Sequence, residues 1–160
     1  AKTAKTAAAE VVVVWVVDVV DMRSLFLHAD RFATQVIEPS TWPVGIEPEQ
    51  RKSETEEMEK CLVVFFCVEK GDTEKQIEAI NQEILKTADE VKTKNLLISP
   101  FVHLSSNIAK PELAKALYEQ LMAKFVGLDF TVKSSHFGYH KSLSLDVKGH
   151  PGSFRYREFH

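Results

Sequence analysis

Two segments far apart in the chain collect its most chemically capable side chains. Ser99-Pro100-Phe101-Val102-His103-Leu104-Ser105-Ser106 carries an imidazole and hydroxyls directly after an apolar run. Phe137-Gly138-Tyr139-His140-Lys141, followed by Lys148-Gly149-His150-Pro151, carries two lysines, two histidines and aromatic rings. His103 comes just after a strand candidate, and ligand sites of sheets with helices favour strand ends. The plain alternative is a loop histidine bonded to a backbone carbonyl. Ser105, Ser106 and Asn107 read equally well as turn or cap residues. Lys141 says more. By alternation it shares a face with Leu143 and Leu145, expected to be buried, and an unpaired buried ammonium is costly. The alternative is a lysine that snorkels out at the strand's start. Phe137, Tyr139 and His140 are placed to wall a small pocket, or to serve as ordinary core.

A metal centre is not expected. His136 and His140 are four residues apart in a stretch that does not read as helix, which spreads them along a strand. His28-Ala29-Asp30 lacks a third ligand nearby. No Gly-x-Ser-x-Gly, phosphate loop or dinucleotide fingerprint occurs. Neither segment holds a serine–histidine–acid or cysteine–histidine set.

The elements that must position these groups follow from the pattern. Arg23 to Ala29 reads as a strand and Arg31 to Ile37 as a weaker one. Pro39, Pro43, Gly45 and Pro48 mark an irregular connection. Glu54 to Lys60 reads as a short helix, and Cys61 to Glu69 as a strand buried on both faces. Thr73 and Gln76 form a capping box, and Ile77, Ile80, Ile84, Ala88 and Val91 predict a helix to about Lys92. Asn95 to Ser99 is the next strand. Pro111 opens a second helix with Leu113, Leu117, Leu121 and Phe125 on one face. Asp129 to Lys133 and Tyr139 to Val147 read as strands. The order predicts an α+β fold with a mixed or antiparallel sheet and two main helices.

At 160 residues the length suits one domain. A formal net charge of −3 argues against a protein that grips many phosphates. If RNA is bound, this domain holds its end and another domain or chain holds the body. Cys61 and Cys67 lie in one strand run, roughly 20 Å apart at ~3.3 Å per residue, so they cannot pair and are expected as buried reduced thiols. Residues 1–21 differ from the rest: a Lys-Thr-Ala tract precedes Val11-Val12-Val13-Val14-Trp15-Val16-Val17. That run is too short to span a membrane and reads as a strand rather than a signal segment. It is expected to be an extension, with the functional domain at 22–160.

From Met22 to Pro151 the chain resembles the N-terminal editing domain of archaeal threonyl-tRNA synthetase, which has the D-aminoacyl-tRNA deacylase fold. The resemblance is carried by His28-Ala29-Asp30, Val68-Glu69-Lys70 and the two segments above, in matching order and spacing. It implies hydrolysis of L-serine wrongly attached to threonine tRNA. It implies that Lys141 anchors the seryl ester and that His103 positions the terminal adenosine and the reaction centre. Val68, Pro100, Phe101, Val102, Phe137 and Tyr139 match positions that line or abut the pocket, and His140 stands where relatives carry tyrosine. A family glutamate falls by straight counting on Phe154, and Glu158 is the nearest acid. The tRNA's own 2′-hydroxyl is implied as the main activator of water, with no cofactor. A homodimer in the cytoplasm, working with a synthetase catalytic domain or companion chain, completes the expectation. The strand at Cys61 to Val68 and the chain's start are its candidate dimer surface. The competing readings are a non-catalytic amino-acid or RNA-binding module and a free-standing D-aminoacyl-tRNA deacylase.

Overall fold

The computed structural model describes residues 21–50 and 53–160. Its frame is one long strand, β1 (Met22–Pro39), paired antiparallel from Arg23 to Gln35 with β2 (Thr55–Cys67). The helix expected at Glu54 to Lys60 is instead the first half of β2. Its glutamates favour helix locally, but pairing overrides that preference. Met58 faces Phe32 across the ladder and is buried, while Glu57 meets Arg31 at 2.8 Å. The two strand candidates at 23–29 and 31–37 are likewise one strand. The ladder lapses where Asp30 would face Lys60, and Lys60 adopts a left-handed backbone, φ +45°.

After β2 come α1 (Glu74–Glu90), β3 (Asn95–Pro100), α2 (Pro111–Ala123), β4 (Thr131–Ser134), β5 (Tyr139–Val147) and β6 (Phe154–Phe159). The sheet runs β4-β3-β2-β1-β5, with β2, β3 and β4 parallel and the contacts of β1 antiparallel. The sixth strand was not anticipated. It continues β5 along the same edge of β1, from Phe154 opposite Leu27 to Phe159 opposite Met22. Between the two, residues 148–153 bulge out opposite His28, whose backbone accepts from Lys148 and donates to Ser153.

Each face of the sheet has its own core. On one, α1 and α2 pack over Phe26, Val64, Phe66 and Ile98, with Ile80 and Leu121 fully buried. The Thr73 hydroxyl and the Gln76 side chain close the capping box that starts α1, as expected, a contribution of about 1 kcal/mol. On the other face Phe32, Met58, Cys61, Val63 and Phe65 form a second core. The Glu56–Glu57 end of β2 reaches β4, where the Lys133 ammonium bonds the Glu57 carbonyl at 3.0 Å. Burial pushes the unpaired thiols of Cys61 and Cys67 up to about 11 and about 12, which keeps them protonated and inert. One expectation fails on β5. Leu143 is 48% exposed rather than buried, because β5 is an edge strand.

Candidate functional site

Pro100 ends β3 because it has no N–H for a further ladder bond. The chain turns there. Phe101 donates to the Phe66 carbonyl at 2.8 Å, and a single turn of 3-10 helix, Val102–Leu104, presents His103 to solvent. The Phe101 ring meets the His103 ring edge-on, 5.1 Å between centroids. The turn is held from behind: the Ser105 hydroxyl donates to the buried Glu69 carboxylate, and Ala109 donates to the Val68 carbonyl at 2.9 Å.

The opposite wall grows from the end of β4. Ser135 and His136 are buried, and the Ser135 and Ser99 hydroxyls lie 2.5 Å apart, tying this wall to the end of β3. Tyr118 stacks between Phe66 and Phe137 at 6.5 and 5.9 Å and bonds the Ser134 hydroxyl. Gly138 follows at φ +84°, and a Cβ there would stand 2.6 Å from the Pro48 Cα. Only glycine fits both demands.

The connection at 40–50 closes the third side. Ser40 donates to the Gly138 carbonyl at 2.7 Å, Phe137 donates to the Glu49 carboxylate at 2.8 Å, and the Tyr139 hydroxyl donates to the Glu49 carbonyl at 2.9 Å. Trp42 precedes a cis Pro43 and is 57% exposed at the rim. The walls enclose about 220 Å³, lined by Pro100, Phe101, Val102, His103, Phe137, Tyr139, His140 and Lys141, with Ser40, Trp42, Pro43, Ile46 and Gly138 from the connection and turn.

Lys141 is the cavity's cation. It is half-buried, and its Nζ donates to the His136 carbonyl at 2.7 Å. Burial lowers its pKa below the ordinary lysine value, while the negative charge of Glu49 works the other way. An ammonium has three donors, so two remain beyond this bond for a ligand. The described residues place no nucleophile–base–acid set here. The site can hold, orient and exclude.

The archaea-specific editing domain of threonyl-tRNA synthetase matches, as a family profile, residues 22–159. The chain belongs to that family. As an editing domain of threonine–tRNA ligase it is an aminoacyl-tRNA deacylase module. Similar proteins include the threonine–tRNA ligases of Thermococcus onnurineus and Staphylothermus marinus. They are 37% and 38% identical over 134 and 133 residues, each match covering 81% of this chain and 21% of the ligase. That of Pyrobaculum neutrophilum is 35% identical over 144 residues, 86% of this chain and 22% of its own. The chain thus spans about a fifth of the length of these relatives. A solved structure, the c-Myc DNA unwinding element binding protein, superposes with a TM-score of 0.61 at 12% identity, covering 84% of this chain and 97% of its own. That likeness concerns fold alone, and the fold is the expected α+β, D-aminoacyl-tRNA deacylase-like one.

Within the editing domain, both segments singled out by sequence reach one cavity, but only in part. His103 and Lys141 line it together with six of the expected neighbours. Val68 lines a smaller apolar recess next door, shared with Phe101, Val102 and Phe137. Glu158 does not join them. It lies on β6, accepting from the Tyr156 hydroxyl at 2.7 Å and grouped with Asp21 and His160 outside the cavity. The physical reason is pairing: β6 runs toward Met22, away from the Pro39 end where Tyr139 sits. The acid beside Lys141 is Glu49, which sequence reasoning missed. Its signal was the long proline-rich connection, since structureless loops of that length are usually functional. Lys148-Gly149-His150-Pro151 also lies outside the cavity, in the bulge opposite His28.

Proposed function

We propose that this domain hydrolyses L-serine from threonine tRNA and that the cavity around Lys141 is where it does so. The observation that carries the reading is Lys141 itself: a partly desolvated ammonium, fixed by one carbonyl and facing a small cavity on the sheet's Pro100 side. Its remaining donors suit the ester or hydroxyl oxygens of a seryl group. His103, exposed on its turn and braced by Phe101, suits the terminal adenosine. Tyr139 and His140 flank the anchor, and the Phe137 ring forms the apolar wall against which an extra methyl would be measured.

The need for such a site is energetic. A pocket built for threonine rejects serine poorly, because one methyl is worth only about 1–3 kcal/mol. A second site that excludes the larger side chain supplies the missing discrimination. With no nucleophile–base–acid set among the described residues of the cavity, the adjacent 2′-hydroxyl of the terminal ribose activates water, and the protein contributes position. No cofactor enters this scheme. The activity belongs to a cytoplasmic synthetase or companion chain, since the tRNA body needs a holder.

The domain works as a homodimer in this reading. The surface expected at Cys61 to Val68 is not available, because that segment is the sheet's interior. The first-residue surface lies outside the described residues. The β5 edge, where Leu143 is exposed, is the better candidate. Incubating the purified chain with seryl- and threonyl-tRNA(Thr) tests the function: serine should be released much faster than threonine. Equal rates, or no release of either, would defeat the reading and favour a binding module.

A further inference from the structure

The two motifs that the cavity leaves out meet each other. His28 Nδ1 and His150 Nε2 stand 2.6 Å apart, and the Lys148 ammonium bonds the Asp30 carboxylate at 2.5 Å. The Gly152 N–H donates to His150 Nδ1 at 3.2 Å, which makes that nitrogen an acceptor and puts the His150 proton on Nε2, pointing at His28. His28 and Lys148 of this clasp form one wall of an open cleft of about 430 Å³. Its other walls are Lys60 from β2 and Lys92, Thr93, Lys94 and Asn95 from the turn after α1.

The cleft is cationic in a chain whose net charge is −3. Four lysines line it: Lys60, Lys92, Lys94 and Lys148. Among the described residues two carboxylates pair with them, Asp30 on Lys148 and Asp89 on Lys92, the latter at 3.7 Å between exposed groups. Lys94 lies over the Phe130 ring at 4.8 Å, which orients its ammonium without neutralising it. Lys92 and Lys94 sit close after α1 and also suit the negative end of its dipole. That role does not extend to Lys60 or Lys148, which come from a strand and a bulge. The non-glycine residues with left-handed backbone among those described are Lys60, φ +45°, and Lys92, φ +57°, and both line this cleft. Such conformations are uncommon for residues with a Cβ and concentrate where function needs them.

We propose that this cleft binds the phosphate backbone of the RNA stem whose 3′ end enters the Lys141 cavity. The proposal rests on the editing reading for its choice of polyanion. Its geometry is independent of it. Lys148 is seven residues beyond Lys141 on the β5 line, about 24 Å at ~3.4 Å per residue. A short paired stem below a single-stranded 3′ end spans such a distance. Phosphate contacts of this kind fix register without reading sequence. The acidic balance of the whole chain thus conceals a local electropositive site.

The test compares the Lys60→Gln/Lys92→Gln/Lys94→Gln protein with the parent and with Lys70→Gln/Lys75→Gln, a control at the other end of α1. The probes are a short RNA hairpin with a single-stranded 3′ end, seryl-esterified or free, and 3′-O-seryl-adenosine, which has no stem. The triple variant should bind the free hairpin about three- to tenfold more weakly, with its log–log salt slope shallower by about 2. Its KM for the seryl hairpin should rise similarly, with kcat and seryl-adenosine hydrolysis unchanged. Parent-like affinity and slope, or equal weakening by the control, would overturn the cleft. If the parent hydrolyses neither ester, the editing reading fails, and free-hairpin binding still decides the cleft.

Discussion

The Glu69 carboxylate, 2% exposed, accepts the Ser105 hydroxyl and so ties the end of β2 to the turn that carries His103. Arg23 lies 3.7 Å from the same carboxylate, and the Asp21 N–H donates to it at 3.1 Å. The same hydroxyl accepts from the Asn107 N–H at 2.9 Å, closing the loop behind the turn. A hydrogen bond to a buried charge is worth about 1.5–3 kcal/mol, enough to hold one turn in register.

Ser105→Ala should therefore lower kcat/KM for deserylation about tenfold through misplacement of His103. Ser105→Thr, which keeps the hydroxyl, should restore most of it. Full activity in Ser105→Ala would mean that His103 needs no such brace.

Gly138 joins the two walls, so Gly138→Ala should cost on the order of 2–4 kcal/mol of stability, from positive φ and a clash with the Pro48 backbone. Urea denaturation reads it directly. A shift below ~0.5 kcal/mol would show that the 40–50 connection gives way freely.

Asp72 gives a pH signature. Burial pushes its carboxyl up to about 6, with the Glu69 N–H bond at 2.6 Å opposing and the charges of Glu69 and Asp21 adding to the rise. A carboxyl raised in the folded state binds more protons there than when unfolded, so this group's contribution falls as pH climbs from about 4 to about 6. Asp72→Asn keeps an acceptor and removes the charge. It should stabilise the domain at pH 7.5 and lose that advantage near pH 4. A variant less stable than the parent at pH 7.5 would contradict the sign.

Much of this was legible in the sequence because it depends on period and punctuation. The Thr73 cap, the α1 stripe and the Pro100 and Pro111 boundaries all act within a few residues. The long β1–β2 pairing was not legible, since Glu54 to Lys60 is helix-like until Met58 is placed opposite Phe32 and Glu57 within reach of the Arg31 side chain. β6 was missed because its short run mixes arginines with aromatics, and its arginines turn toward α1, where Arg157 meets Glu83 at 3.3 Å. In the site, Lys141 and His103 stood out by type and position. Glu49 did not, because a carboxylate in an irregular connection has no periodicity to announce where it points.

Substrate chemistry offers a fourth expectation. If the terminal 2′-hydroxyl activates water, a 2′-deoxy tRNA end carrying 3′-serine should be bound normally yet hydrolysed at least about a hundredfold more slowly. Cleavage of the deoxy ester at the ordinary rate would point to a protein base, with His103 and His140 the first to replace.

The most direct measurement is the deserylation rate of Lys141→Met on seryl-tRNA(Thr). Methionine keeps the half-buried bulk, and the relief of burying a charge offsets loss of the bond to the His136 carbonyl, so the variant should still fold. Loss of a charge-assisted contact to the ester should slow hydrolysis about ten- to a hundredfold. A folded Lys141→Met protein that releases serine at the parent's rate would remove Lys141 from the site and contradict the account.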